Sequence, residues 1–303
     1  MNRREETSGL LFGFIGMLGF SFTVPMTRMA VLEFDPVIVG VGRVFISCSL
    51  ALVMLAWRRD PFPARQHWPG LLVVALGPMI GYPYILAVAM RQVPAAHGAV
   101  VVGLLPLSTA IWAAVRGRER PSAAFWLAAI TGSAAVVGFA LVEGHWAFHA
   151  VDGWLLFAIA LCGLGYAEGG RLSRVLGVSN VLGWGLVVAA PLVAIPVLHA
   201  VAVHGLHGSP RAWIALGYTG VVSMFLAFLA WYHGLGLGGV ARVGQLQLLQ
   251  PFFSLGWAAW LLGERLTGLM LATALVVGAT VALGRRASVH RSLEEEAVDS
   301  AGS

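Results

Sequence analysis

Charged side chains inside long apolar runs are the residues of this sequence from which chemistry is most clearly expected. Arg43 lies within the apolar run 36–57, and Glu168 lies within the run 152–170. Burying a charge in hydrocarbon costs about 2.5–3.5 kcal/mol on insertion scales. Each of the two therefore needs an ion-pair partner, a water-filled cavity or a charged ligand.

Two interpretations of Arg43 stay open. It lies about 10 Å along its run if that run is a helix rising 1.5 Å per residue. In the first interpretation, its guanidinium neutralises a carboxylate of a ligand. In the second, it forms a structural ion pair with Glu33, Asp35 or Glu168, or its long side chain reaches the edge of the apolar layer.

Glu168 is the one acidic residue that falls inside an apolar run, since the other thirteen fall in loops, in tails or, in the case of Asp152, at the first residue of a run. One interpretation makes it a proton or cation site, because an embedded carboxylate is what a carrier of cations requires. The other makes it a structural partner of Arg171, which follows at a helical pairing distance of three residues.

Three glutamines, Gln245, Gln247 and Gln250, lie in the run 240–262. On an α-helix, Gln247 and Gln250 share a face and Gln245 points elsewhere. We therefore expect the first two to line a cavity and the third to bond a neighbouring helix. Hydrogen bonding between helices is the alternative for all three, worth roughly 0.6–2 kcal/mol per contact.

The elements that position these residues follow from the composition. Hydrophobic residues make up 58% of the chain and charged residues 11%, with a mean hydropathy of +0.83, whereas soluble domains are roughly 45–50% apolar and about 25% charged. The sequence predicts an all-α integral membrane protein. All nineteen basic residues are arginine, which excludes a Walker A lysine or a Schiff-base lysine.

Apolar runs of about 20 residues bounded by charged residues, proline or glycine predict ten membrane-spanning helices. Their predicted ranges are 9–30, 36–57, 69–90, 94–115, 122–142, 152–170, 179–203, 211–234, 240–262 and 267–284. Residues 285–303 are predicted to form a disordered cytoplasmic tail.

The arginines indicate the orientation of these spans. If the N-terminus is cytoplasmic, fourteen arginines lie in cytoplasmic segments and four, Arg28, Arg91, Arg211 and Arg265, lie on the other side. An excess of arginine on one side marks the cytoplasmic face. The sequence therefore predicts that both termini are cytoplasmic. The arginines form short clusters between apolar runs, so binding to nucleic acid is not predicted.

The chain contains an internal repeat. Ala96–Thr109 aligns with Ala241–Ser254 at a constant offset, and Gly19 corresponds to Gly163 at a slightly different one. At the aligned positions of the first copy, the three glutamines are replaced by Val100, Val102 and Leu105. A repeat unit of five spans forces the second copy to enter the membrane in the opposite orientation, as in many secondary transporters.

This pattern resembles the drug/metabolite transporter superfamily, in particular its EamA-like members. The resemblance rests on the two five-helix copies, on Gly-Glu-Arg-Leu-Thr at 263–267 with Arg-Glu-Arg-Pro-Ser at 118–122, on Arg43, and on the step Gln250-Pro251. It implies two EamA-like repeats, 9–142 and 152–284, around a central cavity that opens alternately to each side. Transporters of this family are not enzymes, and many of them export small metabolites.

Aromatic residues add candidates for the wall of that cavity. Tyr82, Tyr84 and Tyr166 lie deep in their spans or next to glycine, where a phenol can bond a ligand. Trp231 and Tyr232 come from another span that surrounds the cavity in the family. Predicted cavity residues are therefore Arg43, Tyr82, Tyr84, Tyr166, Glu168, Trp231, Tyr232, Gln245, Gln247 and Gln250.

The function predicted from the sequence is export of a small metabolite across the inner or plasma membrane. An amino acid or an amino-acid-derived compound, such as a metallophore, is the expected cargo. The alternatives are efflux of organic cations through Glu168, uptake of a metabolite, and an intramembrane enzyme acting on lipid, for which no catalytic cluster is found. The expected partners are the cargo and the lipid bilayer. No cofactor or metal site is predicted, and a homodimer stays open.

Overall fold

The structure is a computed structural model that describes residues 3–116, 120–143 and 150–263, and the short pieces 268–269, 272–273, 275–276, 279–280 and 289–290. The described chain is almost wholly helical. The predicted tail 285–303 lies outside the described residues except for Val289–His290, which pairs antiparallel with Arg120–Pro121 as two short strands.

The structure describes fourteen α-helices, several of which follow one another within one continuous helical stretch. In the N-terminal half they are α1 (Arg3–Ser21), α2 (Thr23–Val31), α3 (Arg43–Arg58), α4 (Trp68–Val74), α5 (Tyr82–Gln92), α6 (Ala95–Val102), α7 (Leu105–Arg116) and α8 (Ala123–Glu143). In the C-terminal half they are α9 (Ala150–Leu176), α10 (Val178–His204), α11 (Pro210–Tyr218), α12 (Ala227–Gly238), α13 (Val240–Gly244) and α14 (Gln250–Leu262).

Six continuous helical stretches of the described chain are long and apolar enough to cross a membrane. They are Glu5–Val31, Ile38–Arg58, Arg65–Gln92, Gly153–Leu176, Val178–His204 and Pro210–Gly238. The prediction of an all-helical membrane protein is confirmed. The count of ten spans stays a prediction, because most of the expected span 267–284 lies outside the described residues.

Several stretches change their winding midway. π-helical turns occupy Ile38–Gly42, Ala75–Gly81 and Thr219–Leu226, and a 3-10 turn occupies Gln245–Leu249. Pro78, within the second of these segments, has no N–H for the regular helical ladder, which accounts for the change there. Such turns leave carbonyl groups available to other donors and are frequent at functional sites.

Glycines bring the two halves into close contact. Helix α1 packs along α12, and a Cβ on Gly234 of α12 would lie 2.6 Å from the backbone nitrogen of Gly13. A Cβ on Gly9 would lie 2.5 Å from the backbone nitrogen of Gly238. Only glycine permits this approach, which is a common way of packing helices in membranes. The first helix of the chain is thereby fixed against the C-terminal half.

Candidate substrate cavity

One cavity lies between the two halves, with about 360 Å³ of empty space inside it and at its mouth. Arg43, Pro78 and Tyr82 line it from the N-terminal half. Tyr166, Ser223 and Gln250 line it from the C-terminal half.

The turns of altered winding hold four of the six polar residues that line the cavity. Arg43 directly follows the π-helical turn Ile38–Gly42, and Tyr82 directly follows Ala75–Gly81. Ser223 lies within Thr219–Leu226, and Gln250 begins α14 after the 3-10 turn. The irregular turns that interrupt the regular helices therefore place most of the polar groups that line the cavity.

Arg43 is buried, at 2% exposure, and lacks a carboxylate partner among the residues that the structure describes. Its Nε donates to the backbone oxygen of Gly40 at 3.1 Å. The structural ion pair that the sequence left open is wrong for all three acids considered. Glu33 accepts from Ser209, Asp35 lies 3.6 Å from His204, and Glu168 binds other arginines.

Glu168 lies outside the cavity lining, at the end of the bundle where α7 ends and α4 begins. It is 3% exposed and accepts from Arg171 through both carboxylate oxygens, at 2.6 Å from Nη2 and 3.3 Å from Nε. Arg116 is its second cationic neighbour, at 3.8 Å. A Cβ on Gly70 would lie 2.5 Å from its Oε1. The structural pairing with Arg171 is confirmed, and the carboxylate is neutralised where it lies.

Gln250 lines the cavity and is 4% exposed. Its side-chain Oε1 is buried without a hydrogen-bond partner in the described part of the chain. An orphaned buried acceptor of this kind costs roughly 1–3 kcal/mol. A cargo that donates a hydrogen bond to Oε1 would remove that cost.

Gln245 and Gln247 are also buried, but neither lines the cavity. The expected bond from Gln245 to a neighbouring helix is wrong, because neither polar atom of its amide has a partner among the described residues. The expectation that Gln247 lines the cavity beside Gln250 is also wrong, although residues 245–249 form a 3-10 turn, in which positions three apart lie on the same side.

The aromatic candidates divide into three groups. Tyr82 and Tyr166 line the cavity, at 8% and 3% exposure. Trp231 and Tyr232 are fully buried behind it, where their rings contact that of Tyr166 at centroid distances of 5.7 and 6.4 Å. Tyr84 is 41% exposed and lies on the outer surface of the bundle, away from the cavity.

Eight further lining residues were missed by the sequence analysis, among them Phe20, Thr23, Ser223 and Phe228. Thr23 and Ser223 join the halves through a hydrogen bond of 2.7 Å between their hydroxyl groups. Phenylalanine and small hydroxyl residues are ordinary in membrane helices, so composition gives no signal for them. The repeat offers a signal, because Ala75-Leu76-Gly77 recurs as Ala215-Leu216-Gly217, and this local register aligns Pro83 with Ser223, both of which line the cavity.

The opposite end of the bundle is also held by contacts between the halves. Glu33 accepts hydrogen bonds from the hydroxyl and the backbone N–H of Ser209, at 2.7 and 2.5 Å. These bonds, the hydroxyl's first, hold the pKa of Glu33 below its usual value. Asp35 and His204 add a second contact there, at 3.6 Å.

Comparisons with known proteins agree with this architecture. The EamA-like transporter family matches residues 7–141 and again residues 150–284. An uncharacterized transporter of Bacillus subtilis (strain 168), YdeK, is 42% identical over 290 residues, which are 93% of this chain and 98% of YdeK. One solved crystal structure has a TM-score of 0.73 at 21% identity, covering 92% of this chain and 98% of its own. At that identity the likeness concerns the fold alone.

The position of Glu168 predicts the effect of Glu168→Gln. Two arginines lose their carboxylate, so we expect the free energy of unfolding to fall by about 1–3 kcal/mol. This is measured as a lower thermal unfolding temperature in detergent. Cargo binding should persist because Glu168 does not line the cavity. Asp60→Asn, which removes the partner of Arg58 alone, is the control with a smaller effect. Loss of binding at unchanged stability would contradict this assignment.

The contact at Glu33 predicts a pH-dependent stability. A carboxyl whose pKa is lowered on folding stabilises the fold above its unfolded pKa, and this contribution is lost as the pH falls through the folded pKa. Wild type should therefore unfold at a higher temperature than Glu33→Gln at neutral pH, and the difference should vanish as the pH falls through the lowered pKa of Glu33. A difference that is constant over this range would show that ionised Glu33 does not stabilise the contact.

Proposed function

The chain belongs to the EamA-like transporter family, and on that premise we propose that it is a secondary transporter that exports a small carboxylate-bearing metabolite, an amino acid or an amino-acid-derived compound. The cavity between the two EamA-like repeats is the proposed cargo site. The buried Arg43, which lacks a carboxylate partner in the described chain, is the observation that carries the proposal.

The argument from Arg43 is electrostatic. An arginine side chain stays charged at physiological pH, and a buried charge without a counter-ion is costly. A carboxylate that enters the cavity supplies this counter-ion and can be held through two parallel hydrogen bonds. Since the folded protein has already met the cost of placing the cation there, the cargo's anion gains from it on binding.

The remaining wall supports a cargo with an apolar portion. Phe20, Tyr82, Tyr166 and Phe228 all line the cavity, and aromatic side chains bind apolar groups over a large area. A small molecule with one carboxylate and an apolar side chain therefore matches the wall better than a sugar or a polyanion does.

Efflux of organic cations is less well supported. Among the described residues, no acidic side chain lines the cavity, and Glu168 is bound by Arg171 and Arg116. A cation would enter a cavity whose one charged lining group is the guanidinium of Arg43. Like charges in a medium of low dielectric repel strongly, so this cavity disfavours a cationic cargo.

The two ends of the cavity support alternating access. At one end Arg116 of the first repeat contacts Glu168 of the second, and at the other Glu33 of the first repeat bonds Ser209 of the second. Relative motion of the repeats would break one set of contacts while keeping the other. In the proposed orientation the Glu168 end is cytoplasmic and the protein lies in the inner or plasma membrane.

Metabolite profiling of medium and cytosol tests this proposal in cells that lack the protein or overproduce wild type, Arg43→Gln or Arg43→Lys. We expect a carboxylate-bearing compound to accumulate inside the deletion strain and outside the wild-type overproducer. Arg43→Gln should lower its export at least about tenfold, since an ionic contact worth roughly 2–5 kcal/mol is lost. Arg43→Lys keeps the charge but not the paired donors and should retain part of the activity.

Two results would overturn the proposal. One is a deletion strain with unchanged carboxylate pools under amino-acid or dipeptide load. The other is full export by Arg43→Gln at wild-type protein level in the membrane.

A further inference from the structure

The cavity is built from matching positions of the two repeats, but the two sides differ in chemistry. Leu105 and Gln250 align in the repeat, each directly precedes a proline, and both are buried in the cavity wall at 2% and 4% exposure. The first repeat thus presents a leucine side chain where the second presents an amide. The fold needs no polar group at this position, since the first copy is built without one.

The amide of Gln250 offers an acceptor to the cavity. Its Oε1 is buried and has no hydrogen-bond partner within the described ranges. A carbonyl oxygen accepts and cannot donate, so it suits an ammonium group, an amine or an amide N–H of a ligand. It repels a carboxylate, which Arg43 attracts.

We propose that Gln250 is the specificity-determining residue for the cargo's α-ammonium group, so that the cavity prefers amino acids to the same carboxylates without nitrogen. This rests on the proposed function and deepens it. Arg43 in α3 attracts the carboxylate, and Gln250 in α14 accepts from the ammonium group. The zwitterion is thereby oriented from the first repeat towards the second.

A neutral acceptor explains how the cavity distinguishes amino acids from amines. Amide oxygen gives a directional hydrogen bond without a negative charge, so an amine that lacks a carboxylate meets Arg43 with no compensation. A site that offers a hydrogen bond to a substrate group rejects analogues without that group, because its own polar atom is then left unpaired. Gln250 therefore selects among carboxylates that Arg43 admits.

The experiment measures binding to the purified full-length protein in detergent by isothermal titration calorimetry, with two pairs of ligands. The pairs are L-leucine with isocaproate and L-phenylalanine with hydrocinnamate, and each acid is its amino acid without the α-ammonium group. Wild type should bind each amino acid at least about tenfold more tightly than the matched acid. Gln250→Leu introduces the residue that the first repeat has at this position. It should bring the ratio of the two dissociation constants close to one, mainly by weakening the binding of the amino acid.

Three further variants separate the possible causes. Gln250→Glu keeps an acceptor oxygen and should keep or increase the preference for the amino acid. This variant still tests the role of the acceptor if Gln250→Leu folds poorly. Asn180→Leu removes a partly buried amide outside the cavity and should leave the ratio at the wild-type value. Arg43→Gln should weaken the binding of both ligands of each pair equally.

The outcomes distinguish this inference from the proposed function. If both acids and amino acids bind through Arg43 and Gln250→Leu weakens them equally, the role of Gln250 is overturned and the carboxylate site stands. If wild type binds the acids as tightly as the amino acids, the role is likewise overturned. If no ligand of either pair binds wild type, the proposal of an amino-acid cargo is overturned together with the proposed role of Gln250.

Discussion

The rest of the site depends on a guanidinium that the fold keeps away from water and from every described carboxylate. Arg43 donates one N–H group to the carbonyl of Gly40 and presents the rest of its charge to a cavity between the repeats. A buried unpaired cation is among the more costly features that a protein maintains. Structural ion pairing with Glu33, Asp35 or Glu168 does not explain it, because these three acids are bound at the two ends of the bundle. We propose that an anionic cargo compensates this charge.

Departures from regular helix geometry make this arrangement possible. Each of three π-helical turns lies at or next to a lining residue, namely Arg43, Tyr82 and Ser223. Irregular backbone is tolerated at membrane depth where it is buried in protein or lines a cavity. The contacts at both ends of the bundle join one repeat to the other. Close helix contacts at glycines, such as those between α1 and α12, stabilise the packing of the bundle away from the cavity.

The sequence predicted what depends on composition and local spacing. Apolar runs located the helices, and depth within a run identified Arg43 as a charge in need of an explanation. Helical spacing predicted the pairing of Glu168 with Arg171, but not the contact with Arg116, which is more than fifty residues away in sequence and depends on how α7 packs on α9. The amides of Gln245 and Gln247 were misplaced because spacing along a helix does not determine whether a side chain meets a cavity or packed protein. Tyr84 was misplaced because depth in a span does not determine which side of a helix faces a cavity.

Binding of carboxylate-matched ligands to the purified protein tests the central claim, that Arg43 recognises an anion, most directly. L-leucine, isocaproate and isopentylamine share an apolar body, and only the first two carry a carboxylate. Titration of each into the wild-type protein should show binding of the two carboxylates and none of the amine in the same concentration range. Binding of isopentylamine with an affinity equal to that of L-leucine would contradict the account, because a site governed by an unpaired guanidinium cannot favour a bare cation.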